Sequence, residues 1–403
     1  MAILNAIFAL FIIFFPIAEI GRIQFSNGVS FSINDILLLS LIAAWSFNKF
    51  KNHKINKRKS YHLKKPILLF TAICVLSLLL NFRNLGLEKF FISFLYLLRF
   101  VLYFSIYFIV IDLNPRIKKL IPHLLLISGS LVVLLGYIQY YFYPSLRNLF
   151  YLGWDEHLYR MFSSFFDPNF AGAFFVLFFF LCLYQIEQFH QNKMRISLLM
   201  AIIISIFTVV AIYLTYSRSA LVMLTVAVVF YLMLINKKRL IIISIFFMIV
   251  FVFAAPKSFQ TEGTDLLRTV STEARLQSAE QGLSIFEKNP VLGVGFNAYR
   301  YALNHYEGLN TQYWQTTHSG AGTDNSFIFV LATTGIFGLL AYLYLLYKIF
   351  QLGIINIKKN KHYAILLIVS VVGIGVDSMF INSLFYVFIM EWLWILAGLT
   401  ENS

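Results

Sequence analysis

Charged residues are scarce in this chain. Only 12% of its 403 residues are charged, whereas 60% are hydrophobic, and soluble domains carry roughly 25% charged residues. This composition excludes a soluble cytosolic enzyme and a disordered chain. Cysteine is scarce too: Cys74 and Cys182 both lie inside apolar runs, which excludes a disulfide framework and a cysteine-based zinc site. The sequence therefore predicts an integral membrane protein.

Long apolar runs divide the chain into candidate membrane spans. A bilayer core of ~30 Å needs about 20 apolar residues per helix, and the runs predict an all-α polytopic membrane protein of about 12 transmembrane helices. Residues 1–255 would hold spans one to nine, 256–323 a large, partly helical loop, and 324–403 the last three spans. The predicted spans are residues 2–15, 32–48, 66–81, 89–111, 121–142, 169–185, 196–214, 219–235, 240–255, 324–347, 363–380 and 384–398.

The positive charge predicts the orientation of these spans. A net charge of +14 in a soluble protein would suggest nucleic acid, but here it is distributed as a topology signal. Most of the 32 Lys and Arg residues lie in loops that are cytoplasmic if the amino terminus is cytoplasmic: 49–65, 112–120, 186–195, 236–239 and 348–362. We therefore expect a bacterial inner-membrane protein with both termini in the cytoplasm and no nucleic-acid partner.

The two sides also differ in the kind of cation that they carry. The inner loops are rich in lysine, whereas most of the outer basic residues are arginine. The orientation of the spans in the membrane depends only on positive charge, which lysine and arginine supply equally. A planar guanidinium, in contrast, is suited to bidentate binding of phosphate. The outer arginines therefore indicate a phosphate-binding site on the periplasmic side, although chance among few residues is the alternative.

Two outer connections are long, at about 143–168 and 256–323. In the second, Ser-Thr-Glu at 271–273 predicts the start of an amphipathic helix that Asn-Pro at 289–290 ends. Gly-Val-Gly at 293–295 then predicts a tight turn before a short helix, with a phosphate cradle as the alternative.

Ionisable groups at membrane depth cost ~2.5 to 3.5 kcal/mol on insertion, so each is a functional candidate. Arg218 lies between spans seven and eight, where the alternative is an interfacial anchor. Asp324 lies at the mouth of span ten, where the alternative is a helix cap. His318, six residues earlier, is a second candidate base. Asp377 and Arg99 lie within spans; we expect Asp377 to form a structural pair, and Arg99 either to do the same or to contact a lipid phosphate.

Several motifs follow one another in a definite order. They are Phe165-Phe166-Asp167-Pro168-Asn169, Ser217-Arg218-Ser219-Ala220, Arg275 leading to Asn289-Pro290 and Gly293-Val294-Gly295, and Asn325 followed by Gly335-Ile336-Phe337-Gly338. Together with the predicted spans, this order resembles the O-antigen ligase and Wzy O-antigen polymerase superfamily of GT-C-type membrane glycosyltransferases. Where ligases carry a signature histidine before the asparagine, this chain has Asp324. That departure favours a repeat-unit polymerase and leaves a ligase open.

The resemblance implies an inverting glycosyltransferase that acts on the periplasmic face without a metal or cofactor. It implies an undecaprenyl-diphosphate-linked oligosaccharide as donor and an acceptor glycan or lipid A core as acceptor, with a chain-length regulator as a candidate partner. Arg218 and Arg275 would hold the departing diphosphate, and Asp324 or His318 would accept the proton of the acceptor hydroxyl. Further residues expected to bind substrate are Arg160, Arg300, Asn325, Tyr299 and Asn169. A lipid-linked sugar transporter is the competing class, although no two-half repeat is apparent.

Overall fold

The computed structural model describes residues 2–25, 29–51, 61–254, 262–266, 270–307 and 319–401. They form α-helices joined by short 3-10 turns and one antiparallel hairpin, β1 (Arg22–Gln24) with β2 (Ser30–Ser32), in which Arg22 pairs with Ser32. The helices are α1 (Ala2–Ile13), α2 (Ile33–Lys51), α3 (Lys64–Leu80), α4 (Phe82–Asp112), α5 (Pro115–Phe142), α6 (Pro168–Gln191), α7 (Arg195–Leu214), α8 (Arg218–Leu234), α9 (Arg239–Ala254), α10 (Val270–Lys288), α11 (Tyr299–Glu307), α12 (Ser326–Asn356), α13 (Lys361–Asp377) and α14 (Val387–Glu401).

The all-α, multi-pass character is confirmed, and each predicted span falls on a helix. In the described part of the chain, α4, α5, α6, α7 and α12 are long and apolar enough to cross a membrane. Helix α1 and the 3-10 segment Phe15–Gly21, bent by 66° between them, make a sixth candidate. Other helices are shorter, such as the 17 residues of α8 and α13; at 1.5 Å per residue these reach only about 26 Å. Twelve full spans therefore stay a prediction.

Side-chain caps fix where three of the helices begin. The Oδ1 of Asp167 accepts from the N–H of Asn169 at 2.6 Å to start α6. The Oγ of Ser217 accepts from the N–H of Ala220 at 3.4 Å to start α8. The Oδ1 of Asn325 caps α12 by accepting from the N–H groups of residues 327 and 328 at 2.9 and 3.0 Å. Because free N–H groups at a helix start need acceptors, these three motif residues set the helix ends on which the site is built.

The core lies where α14 and α6 pack among their neighbours. Nearly every side chain of α14 is buried, and its Trp394 meets Phe104 of α4 edge-to-face at 4.9 Å. A Cβ on Gly398 would collide with Val110 of α4, so the two helices approach closely. On the outside, large apolar side chains such as Ile196 and Ile242 are more than three-quarters exposed, which fits lipid rather than water as the surrounding solvent.

The predicted helix and glycine turn of the large loop are confirmed as α10, the 293–295 turn and α11. Gly293 and Gly335 have φ of +65° and +66°. A Cβ on Gly293 would collide with the backbone of residues 332–334, and one on Gly335 with the backbone of residues 291–292. The N–H groups of Val294 and Gly295 donate to the carbonyls of Ala332 and Thr333 at 3.1 and 3.0 Å. Since α12 already uses these amides, the alternative of a phosphate cradle is wrong.

Candidate active site

One face of α10 joins the residues that the sequence singled out. The Nη2 of Arg218 donates to the Oγ of Ser271 at 2.6 Å, and the N–H of Asp324 donates to the Oγ of Ser278 at 3.1 Å. Positions 271 and 278 lie two turns apart on one side of a helix, and position 275 lies between them on that side. Arg275 is therefore presented between Arg218 and Asp324.

Close packing holds this face against the start of α12. A Cβ on Gly282, one turn beyond Ser278, would meet Ile328 and Thr323 within 3 Å. Arg218 also donates to the Oγ1 of Thr272 at 3.0 Å, so the start of α8 is tied to the first turn of α10. The interfacial-anchor alternative for Arg218 does not account for these two contacts, which direct the guanidinium at α10.

The two guanidinium groups lie close enough to act on each other. Burial lowers the pKa of Arg218, and the charge of Arg275 lowers it further, whereas Asp265 raises it. Arg218 lies just before the predicted span 219–235, at the start of α8. Like charges held together by the fold are stabilised by an anion bound between them. The contact of Arg218 with Ser271, one turn before Arg275, and this mutual effect put the two guanidinium groups near each other, and their shared role stays a prediction.

Asp324 opens into a large cavity. The cavity has a volume of about 510 Å³, within the range of pockets that bind small molecules. Its wall combines aromatic rings with both signs of charge. The charged and polar side chains that line it are Glu19, Arg22, Ser32, Tyr96, Arg99, Tyr103, Asp155, His157, Asp167, Asn297, Thr323, Asp324, Asn382 and Tyr386.

The surroundings of Asp324 raise the pKa of its carboxyl group. Asp324 is exposed and lines the cavity, and desolvation by the neighbouring protein is the largest cause of its raised pKa. The charges of Asp167 and Asp155 raise the pKa further, and Arg275 lowers it. A carboxylate with a raised pKa is a stronger base. The helix-cap alternative for Asp324 is wrong, because Asn325 caps α12.

The long connection 143–168 contributes groups that the sequence did not single out. The pKa of Asp155 is raised by burial and by Asp167, and the Nε2 of His157 lies 4.0 Å from the Oδ2 of Asp167. His157 has φ +48°, and Tyr159 and Phe166 are also left-handed, a backbone state that is costly for such residues. For Asp155 and His157 the length of this outer connection was the one available signal, because neither residue belongs to a motif, whereas Asp167 lies in the motif at 165–169.

Two predicted substrate-binding residues support the turn that carries Arg218. Arg160 is 6% exposed; its Nε donates to the carbonyl of Thr215 at 2.9 Å, and its Nη2 to the Oδ1 of Asn169 at 3.3 Å. The same Oδ1 accepts from the Oγ of Ser217 at 3.0 Å. Since these contacts are within the protein, Arg160 and Asn169 position the turn in this structure, and substrate contact stays a prediction for both.

The remaining predicted site residues that the structure describes do not join Arg218 and Asp324 on the face of α10. Tyr299 is 1% exposed and packs against Phe329 at 6.2 Å between ring centroids, so no face of its ring is open to a sugar. The Asn325 amide is engaged, since its Nδ2 donates to the carbonyl of Met379 at 3.0 Å. Arg300 does not line this cavity, and burial, with the charge of Arg22 added to it, lowers its pKa. His318 lies outside the described residues.

The expected structural pairs of the spans are found. The Oδ2 of Asp377 accepts a hydrogen bond from Ser383, and the Nε of Arg99 donates to the Oδ1 of Asp35 at 2.8 Å. Among the residues that the structure describes, no group of three or more His, Cys, Asp or Glu side chains is arranged to hold a metal ion.

The family comparison covers this same region. Residues 203–343 match the Wzy_C family model, described as O-Antigen ligase. The match runs from within α7 into α12 and so includes Arg218, α10 and Asp324. No curated protein matches the chain. The similarity is to a family of O-antigen ligases, whose members transfer lipid-linked glycans.

Proposed function

We propose, because residues 203–343 match the O-antigen ligase family model, that this protein is an inverting glycosyltransferase of the periplasmic face. Its donor is an oligosaccharide on undecaprenyl diphosphate, and its acceptor is a sugar hydroxyl. The most favoured activity is polymerisation of O-antigen or exopolysaccharide repeat units. Ligation of the glycan to lipid A core is the second candidate.

The arrangement of α10 is the observation that carries the proposal. Its Ser271 contacts Arg218, its Ser278 contacts Asp324, and its Arg275 lies between them. Two guanidinium groups next to one carboxylate are the groups that this transfer needs, because a leaving diphosphate must be neutralised while an alcohol loses its proton. We call Arg218 and Arg275 the donor clamp.

In the reaction, the acceptor oxygen attacks the anomeric carbon from the side opposite the diphosphate. The bond between that carbon and the diphosphate oxygen breaks, and its electron pair leaves with the diphosphate. The donor clamp stabilises the developing charge with bidentate N–H donors. The hydroxyl proton passes to the carboxylate of Asp324. One displacement inverts the anomeric configuration.

The residue at position 324 separates the two transferase candidates. An Asp-Asn pair at 324–325, where ligases carry His-Asn, favours the polymerase. Either side chain can accept a proton, so a ligase needs only a different acceptor in the same cavity. A transporter is less favoured, because the clamp and Asp324 supply groups for bond cleavage that carriage does not require.

The test is transfer by the purified protein in proteoliposomes without an ion gradient. Lipid-linked repeat units alone should give a ladder of longer glycans for a polymerase. Product that forms only when lipid A core is added would show that the protein is a ligase and not a polymerase. Movement of intact lipid-linked sugar across the bilayer with no new glycosidic bond would overturn the transferase, and Asp324→Asn is the inactive control.

A further inference from the structure

Asn382 is a polar side chain in a mostly apolar part of the cavity wall. It lies in the loop between α13 and α14 and lines the same cavity as Asp324. Its neighbours on the wall from that part of the chain include Ile381 and Phe385. Ligand pockets place a few polar groups in such apolar walls, and these groups fix the orientation of the ligand.

The Asn382 side chain does not cap the turn that follows it. An asparagine before a helical turn commonly accepts hydrogen bonds from the N–H groups of that turn, as Asn325 does at the start of α12. Asn382 precedes the 3-10 turn Ser383–Phe385, but its side chain makes no such bond. Its Oδ1 is buried and accepts no hydrogen bond from the residues that the structure describes. A buried polar atom without a partner destabilises the folded protein, so a bound hydroxyl group would recover free energy here.

The backbone on both sides of Asn382 is fixed to the start of α12. The N–H of Ser326 donates to the carbonyl of Ser378 at 2.9 Å, and the Oγ of Ser326 accepts from the N–H of Leu384 at 3.3 Å. These two bonds enclose Asn382 in the chain. The position of Asn382 relative to α12 is therefore set without its own side chain.

The amide of Asn382 and the carboxylate of Asp324 border the same part of the cavity. A Cβ on Gly322 would lie 3.1 Å from the Asn382 Nδ2, so the amide lies against residue 322. Gly322 and Asp324 both line the cavity, and two residues of chain span at most about 7 Å. One sugar unit can therefore contact the amide and the carboxylate together.

An amide is chemically matched to a sugar hydroxyl group. The side chain of asparagine offers two N–H donors and a carbonyl acceptor, and a hydroxyl group both donates and accepts. Rotation of the Asn382 amide about its Cβ–Cγ bond exchanges its oxygen and nitrogen, so either atom can be turned to the cavity. The amide can thus bond a hydroxyl group in whichever direction the sugar presents it.

We propose that Asn382 is an acceptor-binding residue, whose amide bonds the hydroxyl group next to the one that Asp324 deprotonates. The identity of this ligand as the acceptor sugar rests on the proposed function. With one hydroxyl group at the carboxylate and a second at the amide, the sugar has a single orientation. Asn382 therefore selects which acceptor oxygen attacks, and so which linkage forms. A site that bonds one particular hydroxyl group discriminates strongly against an analogue that lacks it.

Acceptor analogues test this selection. Wild-type protein and Asn382→Leu are assayed with a repeat-unit acceptor and with its monodeoxy forms, each lacking one hydroxyl group beside the attacking one. In the wild-type protein we expect one deoxy form to have a kcat/KM at least tenfold below that of the parent acceptor. In Asn382→Leu the parent should lose the same factor, so that the ratio between the two acceptors approaches one. A wild-type ratio in Asn382→Leu for every deoxy form would overturn the proposal.

Asn5→Leu is the matched control for this assay. The Oδ1 of Asn5 is likewise buried without a hydrogen-bond partner among the described residues, but Asn5 does not line the cavity. Asn5→Leu should therefore keep the wild-type ratio for each analogue. The same loss of ratio in Asn5→Leu as in Asn382→Leu would show that the effect does not come from the cavity, and would reject the amide contact.

Thermal unfolding separates acceptor binding from a structural role. Asn382→Leu replaces an unpaired amide by an apolar group of similar size, so we expect its unfolding temperature to equal or exceed that of the wild-type protein. Asn382→Ala repeats both measurements with a side chain that is smaller than the amide. A lower unfolding temperature in both variants would show that the amide holds the fold, contrary to the proposal.

Binding without transfer separates this proposal from the proposed function. The probe is the oligosaccharide released by mild acid from the lipid-linked repeat units of the producing cells. We expect calorimetry to detect its binding to wild-type protein and to Asn5→Leu, and at least tenfold weaker binding to Asn382→Leu. Equal affinity in all three proteins rejects the amide contact. Affinity that depends on Asn382, in a protein that transfers no glycan, rejects the proposed function and leaves the contact standing.

Discussion

Replacing Arg218 by lysine tests the donor clamp most directly, because charge is kept while geometry is lost. The Arg218 Nη2 is already engaged with Ser271 and Thr272 at 2.6 and 3.0 Å. The proposed clamp requires the same guanidinium to meet phosphate oxygens as well. A lysine has a single nitrogen at the end of a flexible chain, so it cannot both hold α10 and bind two phosphate oxygens.

The expected size of the effect follows from the bonds that are lost. A hydrogen bond to a charged group contributes about 1.5 to 3 kcal/mol, and lysine would forfeit one or two of those made to the leaving diphosphate. A loss of about 3 kcal/mol in the transition state corresponds to roughly a hundredfold lower rate, since 1.36 kcal/mol is a factor of ten. Part of the loss should appear in kcat, because the diphosphate gains charge as the bond breaks.

The assay is single-turnover transfer from lipid-linked donor by purified protein in liposomes. Arg239→Lys is the matched control, because Arg239 is also the first residue of a helix and is exposed on the predicted inner side. The reasoning is refuted if Arg218→Lys folds and turns over at the wild-type rate. Thermal unfolding of both variants shows whether either change acts through folding instead.

Three further predictions concern the base and the packing around it. Asp324→Asn should bind donor with wild-type affinity but transfer at least about a hundredfold more slowly; transfer at the wild-type rate would show that another group is the base. Because Asp155 raises the pKa of Asp324 and Arg275 lowers it, Asp155→Asn should move the acid limb of the pH–rate profile to lower pH and Arg275→Gln to higher pH; shifts of opposite sign would contradict the assignment. Gly335→Ala should destabilise the protein by roughly 3 kcal/mol or more, since φ is +66° and the Cβ would strike the backbone of residue 291; Gly375→Ala, where the new Cβ meets nothing within 4 Å, is the control in thermal unfolding.

Some features of the site were readable from sequence because they depend on neighbours along the chain. The glycines at 293–295 and 335 indicate backbone that no other residue adopts readily, and the structure pairs the two segments. Asn325 was expected to bind substrate, yet its side chain caps α12 and leaves Asp324 facing the cavity. Only the structure shows which of these two adjacent residues caps the helix and which lines the cavity.

The sequence by itself determined that this protein lies in a lipid bilayer and which segments of it form helices. Its apolar runs and scarcity of charge require a membrane, and local caps, glycines and prolines mark where helices begin and end. Only the tertiary structure decided that α10 faces Arg218 and Asp324 together, that Tyr299 is buried, and that Arg22 and Arg99 share a cavity with Asp155. The physical reason is distance along the chain. Helix formation is set by hydrogen bonds four residues apart, whereas a cavity wall joins side chains from many elements, and their relative placement depends on packing that no local pattern records.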